Sequence, residues 1–333
     1  MKNNNILLIS NDKLFLKNDI VSSDYNDTIN IIEALSSFNS ISFISRFSKK
    51  KNNFSFVNKK KNFFKFPLFN LLKIERYKIL MISITPFNFL SFLILKIFNK
   101  KVKGYVYLRS DGHLEYFYKY GTIGLIFYKL IFNYITNSLA VISVSKHLTG
   151  LKTKYFLINP SEIESIWLKK RNIPKLDIPR LLYLGRFKKE KGIFSFLKIV
   201  KLINNNFRFN IVGSKKKFKI CKKIIFYNET NSLKKIIRFY DNCNIFVLPS
   251  YTEGAPKVIL ESLARYRPVI VFREIKHVKS KFKGVFVSNR NLKNFTKQIS
   301  FIINNYQKIV NEIKKNKIPT KLEFQKRLRE IIL

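Results

Sequence analysis

The stretch PSYTEGAPKVILESLA (249–264) places Glu253 and Glu261 with seven residues between them, around an apolar run that follows a strand-like NIFVLP. Paired carboxylates suit acid–base work, as in glycoside hydrolysis. Local roles also fit: Lys257 and Glu261 are spaced for a helix ion pair, and Glu253 can cap a helix. A second cluster, LLYLGRFKKEKGI (181–193), presents Gly185, Arg186 and Lys191 at the end of another strand-like run. Arginine engages phosphate oxygens as a fork and lysine adds a compact charge, so this pair suits a phosphorylated ligand. Glycoside hydrolysis has no need of such a pair, although with 64 Lys and Arg in the chain either cation can be incidental. A third group, YVYLRSDGHLEYF (105–117), ends a strand-like run with Arg109, Ser110, Asp111, Gly112 and His113. Asp111 there is either a ligand contact or a helix cap.

These groups need elements to hold them. Short apolar runs recur at 5–10, 40–45, 78–83, 104–109 and 139–144, and again at 180–185, 207–213, 223–227, 244–249, 268–272 and 284–288. Helix-like segments such as 26–38 and 87–99 lie between them. Strands that read as continuous apolar runs separated by helices indicate parallel sheets covered on both faces. The expected fold is α/β, with two doubly wound domains facing a central cleft, where ligands sit beyond the carboxyl ends of the strands. The proline-bearing stretch 161–178 is read as the linker between domains 1–160 and 179–305. Residues 306–333 read as C-terminal helices. In the second domain Gly254 permits a tight loop and Pro256 suits the first turn of a helix, which sets Glu253 over a helix N-terminus that favours an anion.

The 333 residues carry a formal charge of +44, which draws a protein to polyanions: an anionic membrane leaflet, nucleic acid or phosphorylated substrates. A basic nucleic-acid-binding protein is the non-enzyme alternative, but no recognition module is visible and the basic residues are spread along the chain. Lysine runs at 49–51, 59–61 and 215–217 read as solvated loops. Cys221, Cys243, His147 and His277 have no metal-ligand spacing, and the two cysteines suit a reducing compartment. MKNNNILLIS is too short for a signal-peptide apolar region, and 87–98 falls short of a membrane span. The expectation is a cytoplasmic protein. Residues 116–137 mix aromatic and aliphatic side chains with Lys119 and Lys129, and read as a core helix or as a basic helix lying in a membrane interface, on the inner face of the plasma membrane.

YLGRFKKEKG, with YDNCNIFVLPSYTEGAPKVILESLARYRPVI, resembles the retaining glycosyltransferases of family 4, which have the GT-B fold. LAVISVSKHL (139–148) and INPSEI (158–163) resemble the end of that family's first domain. The resemblance implies that Arg186 and Lys191 bind the diphosphate of a nucleotide-sugar, Glu253 the donor sugar's hydroxyls and Glu261 the nucleotide ribose. Gly254, Ala255 and Pro256 would lie beside sugar and phosphate, with Gly185 in the same donor site. His113 would hydrogen-bond the donor, and Arg109, Ser110 and Asp111 would receive a glycan or lipid-linked acceptor. No Asp-x-Asp motif is present, so no cofactor and no obligatory metal is expected, and no nucleic acid as partner. The chain departs from the family's pattern at Tyr266, where a glycine is usual, and lacks its glycine-rich loops in 272–282 and near the N-terminus.

Overall fold

The computed structural model describes the chain except for residues 1–4, 18, 59–62, 67–73, 101, 151–153, 161–162, 204–205 and 214–221. Cys221 and the lysine runs 59–61 and 215–217 lie outside the described residues. The chain divides into two compact units, Met1–Glu162 with Lys321–Leu333, and Ile163–Thr320.

The first unit runs β1 (Asn5–Lys17), β2 (Ile20–Ser23), α1 (Asn26–Ala34), β3 (Ser40–Phe47), β4 (Phe54–Val57), β5 (Phe63–Lys65), β6 (Tyr77–Ile82), α2 (Pro86–Phe98), β7 (Gly104–Leu108), α3 (Gly112–Ser138), β8 (Ala140–Ser143) and β9 (Tyr155–Leu157). Its parallel sheet has the order β5-β3-β1-β6-β7-β8-β9. Ile6 to Ile9 are wholly buried at its centre, as expected of a strand covered on both faces. The sequence marks β1 as ending near Ser10. It continues to Lys17 through a register shift between Ile9 and Lys13, and its distal half pairs antiparallel with β2, which pairs with β4. Leu14, buried in that half, supplies the apolar anchor.

The second unit runs β10 (Arg180–Leu184), α4 (Ile193–Lys201), β11 (Arg208–Val212), β12 (Ile224–Tyr227), α5 (Leu233–Asp241), β13 (Ile245–Leu248), α6 (Lys257–Ala264), β14 (Val269–Phe272), β15 (Val285–Ser288), α7 (Leu292–Asn304) and α8 (Tyr306–Lys314). Its six strands are all parallel in the order β12-β11-β10-β13-β14-β15, the doubly wound order whose reversal lies between β10 and β13. The segment before β10 is built into this unit. Ile163 and Trp167 are buried in its core, and Arg265 and Arg267 donate to the carbonyls of Trp167, Lys169, Lys170 and Asn172 at 2.7–2.9 Å. The last helix, α9 (Lys321–Ile332), belongs to the first unit. Gln325 and Lys321 reach Glu33 on α1, and Lys78 Nζ donates to the Ile332 carbonyl at 2.7 Å.

Residues 116–137 do not form one straight helix. Gly121 has φ 65 and ψ −154 inside α3, a conformation that glycine adopts freely. The His113 ring lies 4.9 Å from that of Tyr128, fifteen positions on, a separation of about 22 Å in a continuous helix. Tyr116 likewise meets Tyr128 at 4.9 Å. The element is therefore a helical hairpin of arms 112–120 and 122–138 that pack on each other.

Candidate functional site

In the second unit the chemistry gathers at the carboxyl ends of β10 and β13, on either side of the point where the strand order reverses. Gly192 caps α4 in the left-handed conformation (φ 62), and a Cβ there would stand 2.0 Å from the Pro249 carbonyl oxygen. Only glycine lets the β10–α4 loop approach the β13–α6 loop this closely. Two further bonds join these loops: Tyr251 N–H donates to the Glu190 carbonyl at 2.9 Å, and the Tyr251 hydroxyl to Ser195 Oγ at 2.7 Å.

Within this frame Lys191 Nζ lies 2.6 Å from Glu253 Oε1, and the Ser250 hydroxyl donates to the same oxygen at 2.7 Å. Both bonds fall on Oε1. Arg186 is exposed at the end of β10, and its carbonyl accepts from the Tyr183 hydroxyl at 2.9 Å. Burial raises the pKa of that phenol; the Glu253 carboxylate raises it further, while the Arg186 cation pulls it down. One buried hydroxyl thus feels both predicted donor-binding charges. Glu261, half-buried one helical turn before the end of α6, accepts from the Tyr240 hydroxyl at 2.9 Å through Oε2. Tyr240 is fully buried, and burial followed by Glu261 raises its pKa well above the usual value. A phenol that stays protonated is a permanent donor, so it fixes the Glu261 carboxylate in one orientation. Pro256 stands just before the first helical residue of α6, with no side-chain cap, so Glu253 is not the capping residue there. Gly254, Ala255 and Pro256 form the turn between Glu253 and α6, and Gly185 begins the loop after β10.

Two residues of this site went unread in the sequence. Arg290, after β15, donates to the Pro249 carbonyl at 2.9 Å and to Glu274 at 2.8 Å, and lies 4.2 Å from the Tyr251 ring centre. It clamps the loop that carries Glu253. Its only sequence signal is a cation at the end of a third strand of the same sheet. The Thr252 hydroxyl, 5% exposed beside Glu253, has no partner among the described residues.

In the first unit, Arg109, Ser110 and Asp111 follow β7. Arg109 donates to Asp27 at 2.9 Å and to the Ser83 hydroxyl at 3.0 Å. Burial opposes its charge, but Asp27 and Asp12 more than offset that and raise its pKa. Asp111 accepts from the Leu114 N–H at 3.1 Å, so it does cap α3. His113 lies between Tyr128 and Phe132, with Asp111 Oδ1 3.9 Å away; burial lowers its pKa, Asp111 opposing and Lys129 assisting. Among the described residues no three His, Cys, Asp or Glu side chains gather as a metal group, and no helix is long and apolar enough to cross a membrane.

Residues 166–318, most of the second unit, match the family model described as glycosyl transferases group 1, and the chain has the GT-B fold. Over 187 residues it is 25% identical to N,N'-diacetylbacillosaminyl-diphospho-undecaprenol alpha-1,3-N-acetylgalactosaminyltransferase of Campylobacter jejuni, covering 54% of this chain and 49% of that protein. The chain thus spans about half the length of such a curated relative. Among solved structures, Anabaena Alr3699/HepE in complex with UDP superposes with a TM-score of 0.68 at 11% identity over 99% of each chain. Sucrose-phosphate synthase from Thermosynechococcus elongatus gives 0.66 at 15% identity, over 98% of this chain and 94% of that one.

Proposed function

We propose that this protein is a retaining hexosyltransferase that moves a sugar from a nucleoside-diphosphate sugar to a glycan or lipid-linked acceptor, in bacterial surface polysaccharide or lipopolysaccharide synthesis. The observation that carries this reading is the Lys191–Glu253 pair held across two stitched loops at the strand-order reversal of a group 1 domain. The family match and this site favour it over a basic nucleic-acid-binding protein. The Anabaena structure was captured with UDP, and the Campylobacter relative is named for transfer to a diphospho-undecaprenol acceptor, which supports both the donor class and a lipid-linked acceptor.

In this reading Arg186 and Lys191 neutralise the departing diphosphate as positive charge grows at the anomeric carbon, a role in which fixed charges in a protected site act strongly. Glu253, released by Lys191 to the phosphate, accepts from the sugar's hydroxyls through both oxygens. Glu261, aimed by Tyr240, accepts from the ribose. Gly254, Ala255, Pro256 and Gly185 bring backbone beside sugar and phosphate. The first unit receives the acceptor through Arg109, Ser110 and Asp111, and His113 hydrogen-bonds the donor. The cations take the place of an obligatory divalent metal, so turnover withstands EDTA. The enzyme works at the cytoplasmic face of the membrane.

A thermal-shift screen against UDP, GDP, ADP and CMP compounds and their sugars tests this. One nucleotide series raises the melting temperature, and Arg186→Ala abolishes the shift. Stabilisation by none of them, or an unchanged shift in Arg186→Ala, would overturn the assignment.

A further inference from the structure

The hairpin α3 is apolar on the side that should be polar. Its second arm buries Gly124, Tyr128, Ile131 and Ile135 and yet exposes Ile123, Ile126, Phe127, Leu130 and Tyr134, spaced as one helical stripe. Ile123, next to the Gly121 turn, is 82% exposed, and Tyr118 and Tyr120 are exposed on the other side of that turn. The neighbouring helix continues the surface. Tyr134 packs against Phe89 of α2 at 5.7 Å, and α2 turns Leu90, Ile94 and Ile97 outward, again at helical spacing. An apolar surface of this extent marks an interaction site.

The charges beside it select the occupant. α2 carries Lys96 and no carboxylate, and the exposed Lys100 and Lys103 follow it. On α3 the only carboxylate is Glu115, which lies 3.6 Å from Lys119, while Lys129 is exposed between Ile126 and Leu130. Apolar side chains at a turn, tyrosines beside them and lysines around the margin match a lipid–water interface: tails for the first, headgroup level for the second, anionic phosphates for the third. A second copy of this chain would bring the same lysines against each other.

We propose that the tip of the α3 hairpin and the outer face of α2 dock this protein on an anionic lipid bilayer. The Gly121 turn lets two short arms present one apolar end, which a straight 27-residue helix could not do. The proposal is independent of the donor-site reading, because its readout is lipid binding.

The test is co-sedimentation of the full chain with phosphatidylcholine vesicles containing about 30% phosphatidylglycerol, against phosphatidylcholine only. Binding is expected to the anionic vesicles and to weaken as salt shortens the Debye length. Ile123→Ser with Leu130→Ser, both on exposed positions, is expected to lower binding by about tenfold or more with an unchanged melting temperature. Absence of binding by the parent protein would overturn the proposal. So would full retention of binding in the double variant, which would mean charge attraction without the hairpin. A parent dimer that the double variant converts to a monomer would assign the surface to a second copy and also end the proposal.

Discussion

Glu253 shares one oxygen between a lysine and a serine, and this sets what each substitution should do. Glu253→Gln keeps the shape of the site but loses the charge that aims Lys191 and that, under the proposed function, accepts from the sugar's hydroxyls. It is expected to cut transfer by about a hundredfold, the scale of losing one electrostatic contact to a transition state, and to change nucleotide affinity far less. Steady-state kinetics beside a calorimetric titration with the nucleotide separates the two, and equal losses would remove Glu253 from the sugar. His113 gives a pH prediction. Burial lowers its pKa from the ordinary 6.5, so the unfolded chain takes up the proton first as pH falls. The stability contributed by the neutral ring is full above pH 6.5 and is lost as pH drops from there towards the folded value, below which the loss is complete. The ring-proton NMR titration should have its midpoint below 6.5, and His113→Phe should flatten the acid-side loss of stability. Cys243 is buried and its thiol is pushed up to about 12, so it should resist a disulfide reagent until the second unit unfolds.

At the scale of elements, two buried arginines hold the segment that joins α6 to β14. Arg265 is 2% exposed and Arg267 wholly buried; Asp241 accepts from both sides of the Arg265 fork at 2.8 and 2.9 Å. Arg265→Ala leaves Asp241 and three carbonyls without that donor, and should cost about 3 kcal/mol or more in chemical denaturation of the second unit. Between the arginines Tyr266 sits at φ 62, the left-handed region in which a side chain costs about 1–2 kcal/mol. Its ring offsets part of this, lying 4.4 Å from the Arg171 guanidinium. Tyr266→Ala keeps the strain and loses the ring, while Tyr266→Gly loses both, so the glycine variant should be the more stable by about 1 kcal/mol. Much of this architecture was legible in the sequence. The strands announced themselves as apolar runs because buried parallel strands must be apolar on both faces, and Glu253 with Lys191 stood at strand ends. What escaped were features set by tertiary contact. The stretch 161–178 reads as a linker because prolines break periodicity, and nothing local says that Arg265 and Arg267 will bind carbonyls within it. The apolar run that marks β1 stops at Ser10 because Asn11, Asp12 and Lys13 interrupt its pattern. Arg290 is one of 64 basic residues in the sequence, and only its tertiary contact with the Tyr251 ring distinguishes it.

On the scale of the molecule, a charge of +44 is a standing self-repulsion. Adding sodium chloride to about 0.5 M should raise the melting temperature of the ligand-free protein, since the Debye length then falls below the spacing of most surface charges. A fall would mean that attractive pairs dominate instead. The first unit is also completed from afar. Phe324 and Leu328 of α9 are buried in it, and Phe324→Ala should cost about 3–5 kcal/mol, read as faster hydrogen exchange in α1 while α6 stays protected. Because α9 lies beyond the whole second unit in the chain, the first unit's core can be completed only after the second unit has been synthesised. A purified chain truncated after Thr320 should therefore resist protease in the second unit and remain cleavable in the first.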